Sequence, residues 1–68
     1  MKMTIVPFPT PALTREIIEM IRSGLGVDDI KVMTGASWLT LDRTLAPLIT
    51  ARPIFAAYHR MIRRRLRP

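Results

Sequence analysis

Hydrophobic residues recur at helical spacing in several segments of the chain, and glycine or proline separates each segment from the next. The first apolar face consists of Ile17, Ile18, Ile21 and Leu25. Thr14 stands before this face, where a hydroxyl can accept a hydrogen bond from a free N–H group of the first turn. Gly24 follows, and glycine readily adopts the left-handed conformation that often ends a helix. The pattern therefore predicts a first helix that begins at Thr14 and ends at Gly24.

A second, shorter helix is predicted to begin at Val27 or Asp28 and to end before Gly35. Ile30 and Met33 lie three positions apart and are expected to face the core. The carboxylate of Asp28 stands in the first turn, where it interacts favourably with the positive end of the helix dipole.

A third helix is predicted to begin at Ser37, whose hydroxyl is suited to cap it, and to extend to Leu45. Leu41 and Leu45 are one turn apart and should point into the core. Pro47 ends this helix, because a proline inside a helix removes a hydrogen bond and clashes with the preceding turn.

The last helix should begin near Pro53, since proline fits the first turn of a helix. Its apolar stripe consists of Ile54, Phe55, Tyr58, Met61, Ile62 and Leu66. At the other end of the chain, residues 1–12 contain three prolines at alternate positions: Pro7, Pro9 and Pro11. This spacing is incompatible with a helix and predicts an extended arm.

These elements predict a single small all-α domain over residues 1–68. Its parts are an extended proline-rich arm (1–12), a three-helix unit (13–46), and a linker with a basic amphipathic C-terminal helix (47–68). The chain has no cysteine, and a domain of 68 residues has a thin core. Stability must therefore come from close helix packing or from a partner chain, which favours a homodimer. No apolar run is long enough to cross a bilayer and no signal peptide is evident, so a cytoplasmic protein without a membrane partner is expected.

The positive charge is concentrated in the second half of the chain. Residues 1–35 hold equal numbers of cations and anions, whereas residues 36–68 hold seven arginines and one aspartate. Arginine binds phosphate through a planar fork of donors, so this distribution favours a nucleic-acid partner. An acidic protein, a membrane surface or a merely solubilising tail would also accommodate these charges.

The segment 27–46 carries the most informative motif. A steep crossing of two helices needs a residue that permits a sharp turn, and Gly35 is placed there. Ile30 before the turn and Leu41 after it are spaced to meet, and Ala36 is small enough to lie beneath the turn. Residues 13–45 resemble the helix-turn-helix superfamily, and most nearly the C-terminal DNA-binding domain of site-specific resolvases and invertases.

The resemblance implies that the third helix enters the major groove of double-stranded DNA. Residues of this helix that would contact DNA are Ser37, Trp38, Thr40, Asp42 and Arg43. The C-terminal arginines that would hold phosphates are Arg60, Arg63, Arg64, Arg65 and Arg67. The implied function is that of a small regulator of transcription, or a recombination accessory factor, that acts as a homodimer joined through the arm, the last helix, or both.

Two departures from the superfamily pattern support an alternative function. Lys31 stands where the two helices touch and a small residue is usual. Trp38 and Leu39 stand where polar, base-reading side chains are usual, and tryptophan is enriched at protein interfaces. The alternative is therefore an antiactivator or adaptor that contacts a regulatory protein through Trp38 and Leu39.

Nothing in the sequence has the pattern of an enzyme site. His59 is the single histidine, and no set of histidine and carboxylate residues has metal-ligand spacing. No nucleophile stands beside an evident base, and the three glycines do not form a phosphate-binding loop. We therefore expect a protein without catalytic activity, metal or cofactor.

Overall fold

The computed structural model describes residues 10–67, and helices make up most of this part of the chain. The elements are α1 (Pro11–Arg22), α2 (Val27–Thr34), α3 (Trp38–Leu45), a short 3-10 helix (Ala46–Leu48) and α4 (Pro53–Leu66). No strand occurs between residues 10 and 67, so the all-α class is confirmed. No helix in this range is long and apolar enough to span a membrane. The prediction of an extended arm over residues 1–9 lies outside the described residues.

The first helix begins at Pro11, three residues before the predicted start. Thr10 is its N-cap, and the Oγ1 atom of Thr10 accepts a hydrogen bond from the N–H of Leu13 at 3.0 Å. Pro11 takes the first helical position, where its missing N–H is not needed. Thr14 lies inside the helix, and its hydroxyl donates to the carbonyl of Thr10 at 2.9 Å. The prediction that Pro11 and the following residue belong to an extended arm was therefore wrong.

Two glycines end α1 and α2, as predicted. Gly24 has a φ of +86°, and its N–H donates to the carbonyl of Ile21 at 3.0 Å. The N–H of Leu25 donates to the carbonyl of Met20 at 3.1 Å, which completes the paired bonds of a Schellman motif. Gly35 has a φ of +69° and ends α2 in the left-handed conformation.

All four α-helices contribute to one hydrophobic core. Its buried members are Ile17, Ile21, Val27, Ile30, Ala36, Leu41, Leu45, Phe55 and Ile62. Burial of Ala36 directly after the Gly35 turn agrees with the predicted need for a small residue there.

The inward orientation predicted for Met33 was wrong, since this residue is 63% exposed. The inner face of α2 instead consists of Ile30, which is buried, and of Lys31 and Thr34, which are half-buried. The hydroxyl of Thr34 donates to the carbonyl of Ile30 at 2.7 Å. This polar group therefore has a hydrogen-bond partner although it faces the core.

The start of α3 and the packing of α4 follow the sequence pattern in part. Ser37 caps α3 by accepting a hydrogen bond from the N–H of Thr40 at 3.1 Å. In α4, Phe55 and Ile62 are buried and Tyr58 is half-buried. The other members of the predicted stripe are exposed, namely Ile54, Met61 and Leu66. The hydroxyl of Tyr58 donates to the carbonyl of Leu25, which ties α4 to the loop between α1 and α2.

We expect Gly35→Ala to lower the free energy of unfolding by about 1–2 kcal/mol, because a side chain strains a left-handed residue. Nothing lies within 4 Å of a Cβ added at Gly35, so this loss would be conformational and not steric. Gly26→Ser is the matched control, since Gly26 caps α2 with a φ of −80° and also has open space around it. The control should keep or raise stability in urea unfolding, and equal losses for both variants would contradict the argument.

Candidate nucleic-acid interface

One face of α4 carries a strip of exposed arginines. Its members line an open cleft of about 500 Å³ together with Leu66: Arg60, Arg63 and Arg64 of the helix, and Arg67, which caps its C-terminus. Only Arg63 of these four has an acidic neighbour within 4.0 Å among residues 10–67, and that contact, to Asp42, lies at the 4.0 Å limit. We call these four residues the arginine face. Its charge is therefore largely uncompensated within the described chain.

Arg65 differs from the arginine face because its side chain, although 44% exposed, is paired with a carboxylate of the same domain. Its guanidinium forms a fork with the carboxylate of Asp28, with N–O distances of 2.7 and 2.9 Å. The same guanidinium lies 5.2 Å from the centroid of the Trp38 ring, and the Nζ atom of Lys31 lies 5.6 Å from that centroid. Arg65 thus joins α4 to α2 across Trp38 of α3.

Trp38 is half-buried, and its ring packs against the core beneath these two cations. Trp38 and Arg65 were both expected to contact DNA. Both side chains instead make contacts within the domain. Lys31 also contributes a cation over the Trp38 ring, which a small residue could not do.

Two further predicted contact residues of α3 face the protein. Thr40 is only 3% exposed, and its Oγ1 atom accepts a hydrogen bond from the hydroxyl of Ser37 at 3.1 Å. The side chain of Asp42 is 14% exposed and points toward α4. The expectation that Thr40 and Asp42 face DNA therefore does not agree with their placement.

The outer side of α3 offers a narrow set of accessible groups. Ser37 is exposed, but its hydroxyl is already used to cap the helix and to bond Thr40. Leu39 and Arg43 are exposed and lie one turn apart on the same face. Arg43 is thus the one cation that α3 presents to solvent.

A contact between Asp42 and His59 was not anticipated from the sequence. The Nε2 atom of His59 lies 2.8 Å from Oδ1 of Asp42, and both side chains are largely buried between α3 and α4. The contact is electrostatic, since neither atom has a hydrogen-bond partner among residues 10–67. No sequence pattern links two positions on separate helices in this way.

Comparisons of the chain with protein-family models, with curated proteins and with solved structures gave no match. The resemblance to the helix-turn-helix superfamily therefore stays a prediction. The proposed function rests on the placement of individual side chains.

We expect Asp42→Ala to lower the free energy of unfolding by about 1–3 kcal/mol, because it removes the 2.8 Å contact with His59 and leaves that buried ring without a polar neighbour. Arg63→Ala is the matched control, since its side chain is exposed and only reaches the same carboxylate at 4.0 Å. The control should change stability by no more than about 0.5 kcal/mol. Equal losses in thermal or urea unfolding would show that the buried contact contributes no more to the free energy of unfolding than the exposed one.

Proposed function

We propose that the protein binds double-stranded DNA, and that the arginine face of α4 supplies most of the affinity. The observation that supports this proposal is the set of exposed guanidinium groups on one side of a single helix, with little acidic compensation between residues 10 and 67. Such a strip can bind successive phosphates and release the cations condensed on the duplex. Arginine suits this role because its fork of donors matches a phosphate group.

The proposed DNA contacts differ from those of a recognition helix that lies fully in the major groove. Trp38, Thr40 and Asp42 are engaged inside the domain, so they are left out of the contact set. Arg43 is the candidate for reading a base edge or fixing the register on a phosphate. Phosphate contacts alone carry no sequence information, so a role in regulating transcription or assisting recombination depends on Arg43.

A second candidate function is binding to a protein partner through the outer side of α3. The exposure of Leu39 beside Arg43 supports it, because an apolar group next to a guanidinium is typical of interface anchors. Trp38 is less available for such a contact, since its ring already lies beneath two cations. A protein that shows no affinity for DNA at low salt would favour this second function.

We expect Arg64→Ala to weaken binding to every duplex and to reduce the slope of log affinity against log salt by about one unit. Arg65→Ala is the matched control, because it removes the same charge from the next position of α4. Arg65 is bound to Asp28, so its loss should change the salt slope less and lower the melting temperature instead. Fluorescence anisotropy of a labelled random duplex across a salt series measures the first effect, and circular dichroism measures the second.

Two outcomes would contradict this assignment. Absence of wild-type binding at low salt, despite the +6 charge, would reject the DNA proposal as a whole. If the Arg64 and Arg65 variants are both folded and have equal salt slopes, Arg64 of the arginine face contributes no more to phosphate binding than Arg65 does.

We expect Arg43→Ala to cost about 1–3 kcal/mol on a preferred duplex and to relax the preference at one base position. The preferred duplex is obtained by selection from random DNA, and each base pair is then replaced in competition experiments. Arg52→Ala provides a control, because Arg52 is an exposed cation outside α3 and outside the arginine face. A uniform loss on all sequences would assign Arg43 to a phosphate.

A further inference from the structure

An open groove of about 710 Å³ lies between α1 and α2, apart from the arginine face. The residues that line it come mainly from the outer side of α1: Ala12, Arg15, Glu16, Ile18, Glu19, Met20 and Met33. None of them belongs to α4, so this groove is a second surface that the proposed DNA contacts do not use.

The groove combines apolar and charged side chains. Ile18 and Met20 are half-buried and pack on the outside of the core, and Met33 stands on the rim with most of its surface in water. An exposed methionine next to half-buried aliphatic groups is a typical contact surface, since its flexible side chain adapts to irregular partners.

Two of the three charged residues of the groove, Arg15 and Glu19, can pair between two copies related by a twofold rotation, whereas Glu16 has no counterpart in this pairing. Arg15 and Glu19 lie one turn apart on α1 and both line the groove. Within the part of the chain that the structure describes, Arg15 has no acidic group within 4.0 Å, and Glu19 has only Arg22 at the 4.0 Å limit. If two copies of α1 cross in opposite directions, Arg15 of each copy meets Glu19 of the other. A twofold arrangement therefore pairs both charges twice.

We propose that the groove between α1 and α2 is the interface of a symmetric homodimer, whose occupant is a second copy of this chain. Met33 of each copy contacts the half-buried Ile18 and Met20 of the other, and the two pairs of Arg15 and Glu19 fix the antiparallel crossing. This interface differs from the arm and the C-terminal helix, through which a dimer was first expected. It leaves both arginine faces free, and it does not rest on DNA binding, because it is measured on the protein alone.

The apolar contact is tested with Met33→Asp and Val32→Asp. Val32 is 81% exposed on the same helix but does not line the groove, so it is a matched control for the new charge. Sedimentation velocity over micromolar to millimolar concentrations should show a wild-type dimer that Met33→Asp weakens about tenfold or more. The Val32 variant should dimerise like the wild type, and circular dichroism confirms that both variants fold.

The charge pairing is tested with Arg15→Glu and Glu19→Arg. Each change alone places like charges opposite each other in the homodimer and should reduce dimerisation. A mixture of the two single variants should form a heterodimer, because each chain then presents the charges that the other needs. Native mass spectrometry separates this heterodimer by its mass. The double variant in one chain should also recover the homodimer, whereas Arg52→Glu, outside the groove, should have no effect.

A wild-type chain that remains monomeric at millimolar concentration would overturn the proposal. A dimer that Met33→Asp and Val32→Asp weaken equally, or whose charge variants fail to restore each other, would place the interface elsewhere. Loss of DNA binding with an intact dimer would concern only the arginine face, so the two proposals fail separately.

Discussion

Burial of Ile62 determines how α4 is rotated, and most of the functional surface depends on that rotation. With Ile62 held in the core, helical periodicity places positions 60, 63 and 64 on the exposed side of α4, and Arg67 follows as the exposed residue that caps its C-terminus. Arg65, three residues after Ile62, comes to the flank that faces α2. One apolar side chain thus separates the arginines into a solvent-facing strip and a single interhelical tie.

The position of α4 also limits which side chains of α3 are accessible to a partner. Three polar contacts hold α4 in place, and each involves a different part of the fold: His59 with Asp42 of α3, Tyr58 with the loop after α1, and Arg65 with Asp28 of α2. In the first contact, the carboxylate of Asp42 faces the protein interior. A recognition helix would present this side chain to DNA. The exposed α3 surface is therefore reduced to Leu39 and Arg43, and for this reason the proposed DNA contacts lie mainly on α4.

Helices were predictable from the sequence where capping chemistry and apolar spacing agree, as at Ser37, Gly24 and Pro53. The start of α1 was misplaced because Thr10 and Thr14 offer the same capping chemistry one turn apart, and Pro11 suits both a helix start and an arm. Met33 was misplaced because a helix of eight residues is compatible with two phases of its apolar face.

Within the candidate site, the outward arginines follow from the amphipathic pattern of α4. The burial of Thr40 also follows from helical spacing, since it shares a face with Leu41, Thr44 and Leu45, whereas the family resemblance implied a contact with DNA at this position. The partners of Asp42 and Arg65 lie on other helices, so only the tertiary structure reveals them. A further consequence concerns Trp38, the single tryptophan of the chain. Because its indole lies beneath cations from α2 and α4, its fluorescence emission is an intrinsic optical reporter of whether these two helices stay joined, independent of total helix content.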